Sequence, residues 1–217
     1  MTRVSRDYCG EEFILDTPDL INQIKGMNEG SELRRQGGNI YLFTLDVVSL
    51  YPSINPDLAL QTLKAALAQS SYDTHKQEAV FEFTSLILKN SFVCFQDKAY
   101  SGNNGIPTGN CVSRQIADIF LHWLLTCECQ PKLSHIWDNL IVLLRRYIDD
   151  LFGIWLGTIR QFNSFVGKLN EITKPLGIIF ADAQVGKSVN FLDVKLTLTE
   201  ENNIEFQLYK KETDSRR

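Results

Sequence analysis

A chain of 217 residues, 44% hydrophobic and 22% charged, is long enough to bury a full core and has no compositional bias towards disorder. Its formal charge of −4 runs against a simple nucleic-acid-binding surface, because affinity for phosphate backbones comes largely from lysine and arginine. No apolar run reaches the ~18 residues of a membrane span, Met1 to Asp7 holds no signal-peptide core, and five irregularly spaced cysteines argue against a disulfide framework or zinc; a soluble intracellular protein with no membrane partner is expected.

In chain order, Thr17 followed by Pro18 predicts a helix start, with the helix running towards Met27. Gly30 to Gly38 is a polar loop. Ile40 to Val47 reads as a strand, and Asp46 is the one acid in that apolar or β-branched run. Asn55-Pro56-Asp57 opens a helix with Leu58, Leu63, Ala66 and Leu67 on one face, ending near Gln69. Thr74 opens another, which sets Val80, Phe83, Ile87 and Leu88 towards a core. Phe92 to Phe95 and Lys98 to Tyr100 form a hairpin around Gln96-Asp97, and a loop from Ser101 to Gly105 leads to a long helix from about Asn110 to Cys127. Ile141 to Leu144 and Leu151 to Trp155 read as strands with Asp149 and Asp150 in the tight turn between them. A helix from Arg160 to Thr173, a short strand from Gly177 to Phe180 and a hairpin pairing Phe191 to Leu198 with Ile204 to Tyr209 complete the chain. The order strand, helices, strand, strand, helix, strand predicts a mixed α/β (α+β) fold. In it a split βαβ antiparallel sheet packs on helices, and a hairpin follows at the C-terminal end.

Aspartates in a turn ordinarily cap local backbone groups. An acid inside a buried strand is costly unless it is paired or holds a metal. If the strands of Asp46 and Asp149 are neighbours in one sheet, two or three of the carboxylates of Asp46, Asp149 and Asp150 converge at one edge. Such hard oxygen donors suit Mg²⁺ or Mn²⁺, and two ions ~4 Å apart serve phosphoryl transfer. Nucleotidyl transfer is the chemistry these residues suggest.

Phe43-Thr44-Leu45-Asp46-Val47-Val48-Ser49-Leu50-Tyr51 resembles motif A of reverse transcriptases, and Tyr147-Ile148-Asp149-Asp150 resembles their motif C. Between them, Gly105-Ile106-Pro107-Thr108-Gly109-Asn110 and the residues as far as Phe120 resemble motif B, and Asn190-Phe191-Leu192-Asp193-Val194 resembles motif E. Four motifs in family order are far more specific than any one. The form Asp-x-x-Ser-Leu-Tyr, Phe13 to Thr17 upstream, and Leu208 to Asp214 downstream are similar to the Penelope-like retroelement type.

The resemblance implies a polymerase palm. Residues 1–39 would be a remnant of the junction with the fingers, 40–189 the palm with motifs A to D, and 190–217 a primer-grip hairpin without a thumb. The implied activity is RNA-directed DNA synthesis, with an RNA template, a DNA primer and a dNTP as partners, in a retrotransposon-derived, nuclear protein. Asp46, Asp149 and Asp150, with the Val47 backbone carbonyl, would hold two Mg²⁺ or Mn²⁺ ions. Tyr51 would be the steric gate against a 2′-hydroxyl, although by itself it reads equally as a core aromatic. Thr108, Gly109 and Gln115 would meet the nucleotide, and Phe191, Leu192 and Asp193 the primer. Gly186-Lys187-Ser188 is no P-loop, because Ala181 stands where the first glycine is required. Lys187 is either the motif D lysine that protonates pyrophosphate or a plain surface lysine. Missing fingers and thumb favour a second reading, a remnant that keeps the fold without activity of its own.

Overall fold

The computed structural model describes residues 1–30, 33–34, 37–90, 92–101 and 105–209. The Lys210 to Asp214 end of the resemblance, residues 102–104 and much of the polar loop after Gly30 lie outside the described residues. The fold is mixed α/β, with antiparallel sheets packed on helices and a hairpin near the C-terminal end.

The chain opens with a helix that the sequence pattern does not announce, α1 (Thr2–Cys9). Helix α2 (Thr17–Gly30) starts one residue before the expected place. Its cap is Asp16, whose carboxylate accepts the Asp19 N–H at 2.9 Å, while Asp19 reaches back to the Leu15 N–H at 2.9 Å. Strand β1 (Ile40–Val47) matches the expectation. After the short α3 (Leu50–Ser53), Asn55 caps α4 (Pro56–Ala68) and Asp73 caps α5 (Thr74–Lys89). Phe83 is 68% exposed rather than in the core, because α5 turns Thr84 and Leu88 inward.

Strands β2 (Phe92–Phe95) and β3 (Lys98–Ser101) close on Gln96 and Asp97, whose φ values of 49 and 57 are both positive, as a type I′ turn requires. Helix α6 (Ser113–Trp123) starts later than expected and continues through a π-helical stretch, Leu124–Cys129, into α7 (Gln130–Leu140), kinked at Leu133. Strands β4 (Ile141–Tyr147) and β5 (Asp150–Leu156) follow, then α8 (Ile159–Thr173). Strand β6 (Phe180–Gly186) begins where the expected Gly177 strand was to end, since Gly177 has φ 85 and stops the preceding 3₁₀ turn. The last elements are β7 (Ser188–Phe191), β8 (Val194–Leu198) and β9 (Ile204–Leu208), with Leu192-Asp193 a turn rather than part of a strand.

The chain divides into two compact units, each assembled from three segments. One comprises Met1–Gly10, Val47–Lys132 and Asn170–Ile179; the other comprises Glu11–Asp46, Leu133–Leu169 and Phe180–Arg217.

In the second unit the sheet order is β4-β5-β1-β6, the split βαβ order, and a smaller sheet runs β7-β8-β9. Period-2 alternation sorts the large sheet into two faces. Ile40, Leu42, Phe152 and Ile154 share a core with Leu20 and Ile24 of α2 and with Val189, Phe191, Leu196 and Ile204 of the small sheet. Phe43 and Trp155 on the other face meet the rings of α8, with Phe43 to Phe162 at 5.0 Å and Trp155 to Phe165 at 5.5 Å. Gly153 lies opposite Phe43, where a Cβ would overlap that ring and the Leu143 carbonyl.

The first unit is built mainly of helices. Helices α1, α4 and α6 pack on one another, and α5 packs on α4. Val4, Leu63, Leu67, Ile116 and Phe120 lie in its buried interior, and Cys9 Sγ donates to the Asp118 carbonyl at 3.4 Å.

Candidate active site

The hairpin β4-β5 turns on two residues, Ile148 and Asp149, between the paired Tyr147 and Asp150. Strand β1 pairs with β5 antiparallel as far as Leu45 opposite Leu151. Asp46 and Asp150 each lie one residue beyond that last pair. The strands that carry Asp46 and Asp150 are therefore direct neighbours in one sheet, with both acids at the same edge.

These two aspartates line a cleft of about 990 Å³. Thr44 and Leu45 accompany Asp46 from β1. Tyr147 stands beside Asp150, and Asp182 and Gln184 come from β6. The turn after β7 supplies Phe191, Leu192 and Asp193, with Asn190 before them. Asp16 and Thr17 close one side, where the Thr17 hydroxyl donates to Asp193 Oδ2 at 3.4 Å. The expected primer-grip residues therefore share a cleft with two of the three expected catalytic acids. Asp149 is in the turn itself, half-buried, and is not part of the lining.

Among the described residues, five aspartates line this cleft, Asp16, Asp46, Asp150, Asp182 and Asp193, and no lysine, arginine or histidine does. A polyphosphate could enter such a field only with cations between the charges. No three His, Cys, Asp or Glu side chains among the described residues stand close enough to hold an ion unaided. The donor set nevertheless fits Mg²⁺, which is usually bound through one or two carboxylates with water and substrate phosphate completing its shell.

The turn is strained. Ile148 is β-branched and has φ 55, a conformation that costs of order 1–3 kcal/mol and persists only where the surroundings enforce it. Part of that enforcement is Arg146, a fully buried side chain of β4 whose Nη1 donates to the Ile148 carbonyl at 3.0 Å. Its guanidinium also lies 5.8 Å from the centre of the Phe13 ring, and its own carbonyl accepts the Ile14 N–H at 2.9 Å.

Lys187 is held elsewhere. Its ammonium donates to the Ile40 carbonyl at 2.8 Å and lies 5.2 Å from the Tyr41 ring. Ile40 precedes Asp46 by six residues of extended chain, roughly 20 Å at the rise of a strand. The backbone contact at the far end of β1 explains this lysine better than a proton transfer at Asp46.

The remaining expected residues belong to the first unit. Val47 ends β1 and is buried. Tyr51 is half-buried in α3, and its carbonyl accepts the Ile106 N–H at 2.8 Å. Gly105 has φ 76, and a Cβ there would stand 2.5 Å from Pro52 Cα and 2.6 Å from Pro52 O. The loop carrying Thr108 and Gly109 thus starts pressed against the turn that carries Tyr51. Gly109 has φ 84 with open space around it. Gln115 donates through Nε2 to Thr2 Oγ1 at 3.4 Å, and its Oε1 is buried without a hydrogen-bond partner.

Sequence reasoning missed Asp16, Thr44, Asp182, Gln184 and Asn190 in the cleft. Thr44 and Asn190 fall inside quoted motifs, so their neighbours were a usable signal. Asp182 and Gln184 carried none, because their strand was expected several residues earlier.

No protein-family model and no curated protein matches the sequence. Among solved structures, apo telomerase from Candida tropicalis superposes with a TM-score of 0.71 at 12% identity, over 95% of this chain and 38% of that one. Telomerase from Candida albicans in complex with a TWJ fragment of telomeric RNA gives 0.71 at 11% identity, over 94% and 37%. A chain of the genome and RNA polymerase complex inside a double-stranded RNA virus gives 0.55 at 12% identity, over 80% and 17%. The chain spans about two fifths of the length of the telomerase chains it matches. At these identities the likeness is one of fold alone, shared with the telomerase chains over nearly the whole of this chain.

Proposed function

We propose that this chain is the palm of an RNA-directed DNA polymerase of the Penelope-like, retrotransposon-derived type. It would extend a DNA primer with dNTPs on an RNA template in the nucleus. The observation that carries the proposal is that Asp46 and Asp150, each one residue beyond the last β1-β5 pair, line one aspartate-rich cleft together with Phe191, Leu192 and Asp193.

Asp46 and Asp150, with Asp149 and the Val47 carbonyl, would hold Mg²⁺ or Mn²⁺. When bound, a pair of such ions activates the primer 3′-hydroxyl and neutralises charge on the leaving pyrophosphate. The protein's own part is to fix carboxylate spacing through the strand pairing, to orient the primer end at the β7-β8 turn, and to exclude ribonucleotides with Tyr51. Thr108, Gly109 and Gln115 are the proposed nucleotide contacts. A net charge of −4 and a cleft without a basic residue among its described lining favour a second reading, in which the palm fold is kept but substrate is not held by this polypeptide alone.

Mn²⁺ titration of the chain, followed by electron paramagnetic resonance, tests the site. Binding is expected to be weak in the parent and abolished in Asp46→Ala and Asp150→Ala, and unchanged binding in both variants would place the metal elsewhere. Primer extension on an RNA template, with fingers and thumb supplied in the same polypeptide, separates the two readings. DNA synthesis that Asp46→Ala abolishes supports the polymerase, whereas no synthesis by the parent supports the remnant.

A further inference from the structure

Turns of type I′ and II′ differ by a flip of their central peptide. Type I′ has positive φ at both central residues, and type II′ only at the first. Gln96-Asp97 is of the first kind, with both φ values positive. Ile148-Asp149 is of the second, since only Ile148 is positive, although a β-branched residue is a poor occupant of that position. The central peptide of this turn joins the Ile148 carbonyl to the Asp149 N–H, and that carbonyl is the acceptor for Arg146 Nη1 at 3.0 Å.

We infer that Arg146 is a positioning residue, a latch on the Ile148–Asp149 peptide plane that selects the type II′ turn and thereby sets the direction in which Asp149 projects. A guanidinium suits the task because its planar fork keeps a fixed geometry where an ammonium on a flexible stem does not. Burial of the side chain and the Ile14 N–H on its own carbonyl keep the donor in register with the turn. The latch stands on hydrogen-bond geometry alone. Its catalytic meaning rests on the polymerase reading, because only there does the projection of Asp149 matter.

The test uses the isotopically labelled chain, with φ at Asp149 measured from three-bond amide couplings and residual dipolar couplings. The parent is expected to show one population with negative φ. Arg146→Leu should add a second population with positive φ, and Arg146→Lys should add a smaller one. The double variant Arg146→Leu/Ile148→Gly should return to the parent pattern, because glycine at the first turn position favours type II′ without help. Should Arg146→Leu fail to fold, Arg146→Lys and the double variant carry the same test. Negative φ at Asp149 in every variant overturns the latch.

A second readout links it to catalysis. In the polypeptide completed with fingers and thumb, Arg146→Leu should lower kcat by about 100-fold with KM little changed, and Ile148→Gly should restore most of it. Parent inactivity would count against the polymerase reading and leave the φ measurement to decide the latch. An active parent whose double variant stays as slow as Arg146→Leu would count against the latch.

Discussion

Replacing Gly105 with alanine should damage the first unit more than the same change at Gly109, for a reason that can be worked out atom by atom. Both glycines have positive φ, 76 and 84, so each alanine incurs the left-handed backbone cost of about 1–2 kcal/mol. They differ in their surroundings. The added carbon at Gly109 meets nothing within 4 Å, whereas at Gly105 it lies 2.5–2.7 Å from the Cα, C and O atoms of Pro52. Carbon atoms sit comfortably about 3.5–4 Å apart, so the Pro52 backbone must retreat by roughly 1 Å. Proline cannot accommodate that by rotating a side chain, and overpacking of this kind adds about 1–3 kcal/mol. Gly105→Ala should therefore cost about 2–5 kcal/mol and Gly109→Ala about 1–2. In a chain of this length each kcal/mol lowers Tm by roughly 2–4 °C. Thermal unfolding followed by circular dichroism, with urea midpoints as a check, measures both. Equal losses in the two variants would refute the close approach between the Gly105 loop and the Tyr51-Pro52 turn.

Burial pushes the Cys129 thiol up to about 12, with Glu128 adding to the rise and Lys132 opposing it. The folded state therefore holds a proton that the unfolded state releases near pH 9. Stability should fall by up to about 1.4 kcal/mol per pH unit between pH 9 and 12, and Cys129→Ala should remove that slope in urea titrations. At pH 8 iodoacetamide should modify the exposed Cys111 and Cys127 well before Cys129; early loss of the Cys129 thiol would contradict its burial. Asp16→Ala removes the cap on α2 and should cost about 1 kcal/mol in urea unfolding, with no change meaning that the Asp19 N–H finds another acceptor. Phe83→Ser, at a side chain 68% exposed, should shift stability by no more than about 0.5 kcal/mol, and a larger loss would mean that the ring is covered in solution.

The elements that sequence reasoning located well are those with a local physical cause. Strand β1 is a β-branched and apolar run with a period of two, Asn55-Pro56 is both a cap and a first-turn proline, and Gln96-Asp97 suits a two-residue turn. The misplaced elements answer to tertiary causes. Helix α1 is polar along most of its length and is held by burying Val4 and Cys9, which no short-range pattern signals. The long helix was expected to end near Cys127, but the chain passes through the widened π turn Leu124–Cys129 and remains helical to Leu140. Phe83 fitted a helical apolar stripe, yet α5 buries the neighbouring Thr84. At the site, Asp46, Asp150, Phe191, Leu192 and Asp193 were legible because each sits in a motif of fixed spacing. Which aspartate of the Asp149-Asp150 pair lines the cleft was not legible, since the turn decides it. The bond from Lys187 to the Ile40 carbonyl was not legible either, because a lysine donating to a backbone carbonyl leaves no trace in spacing.

The division of the chain into two units of three segments each bears on how the protein can be made. Neither unit is complete when the first 132 residues have been synthesised, because each still awaits a segment beyond Lys132. A ribosome would therefore expose unfinished cores of both units at once, among them the β1 strand before its partner β5 exists. No single cut in the polypeptide yields one whole unit. Expressing either half as a contiguous fragment should give insoluble or chaperone-bound material. Three fragments supplied together, or a chain in which one unit's three segments have been joined directly, offer the practical route to isolating one unit.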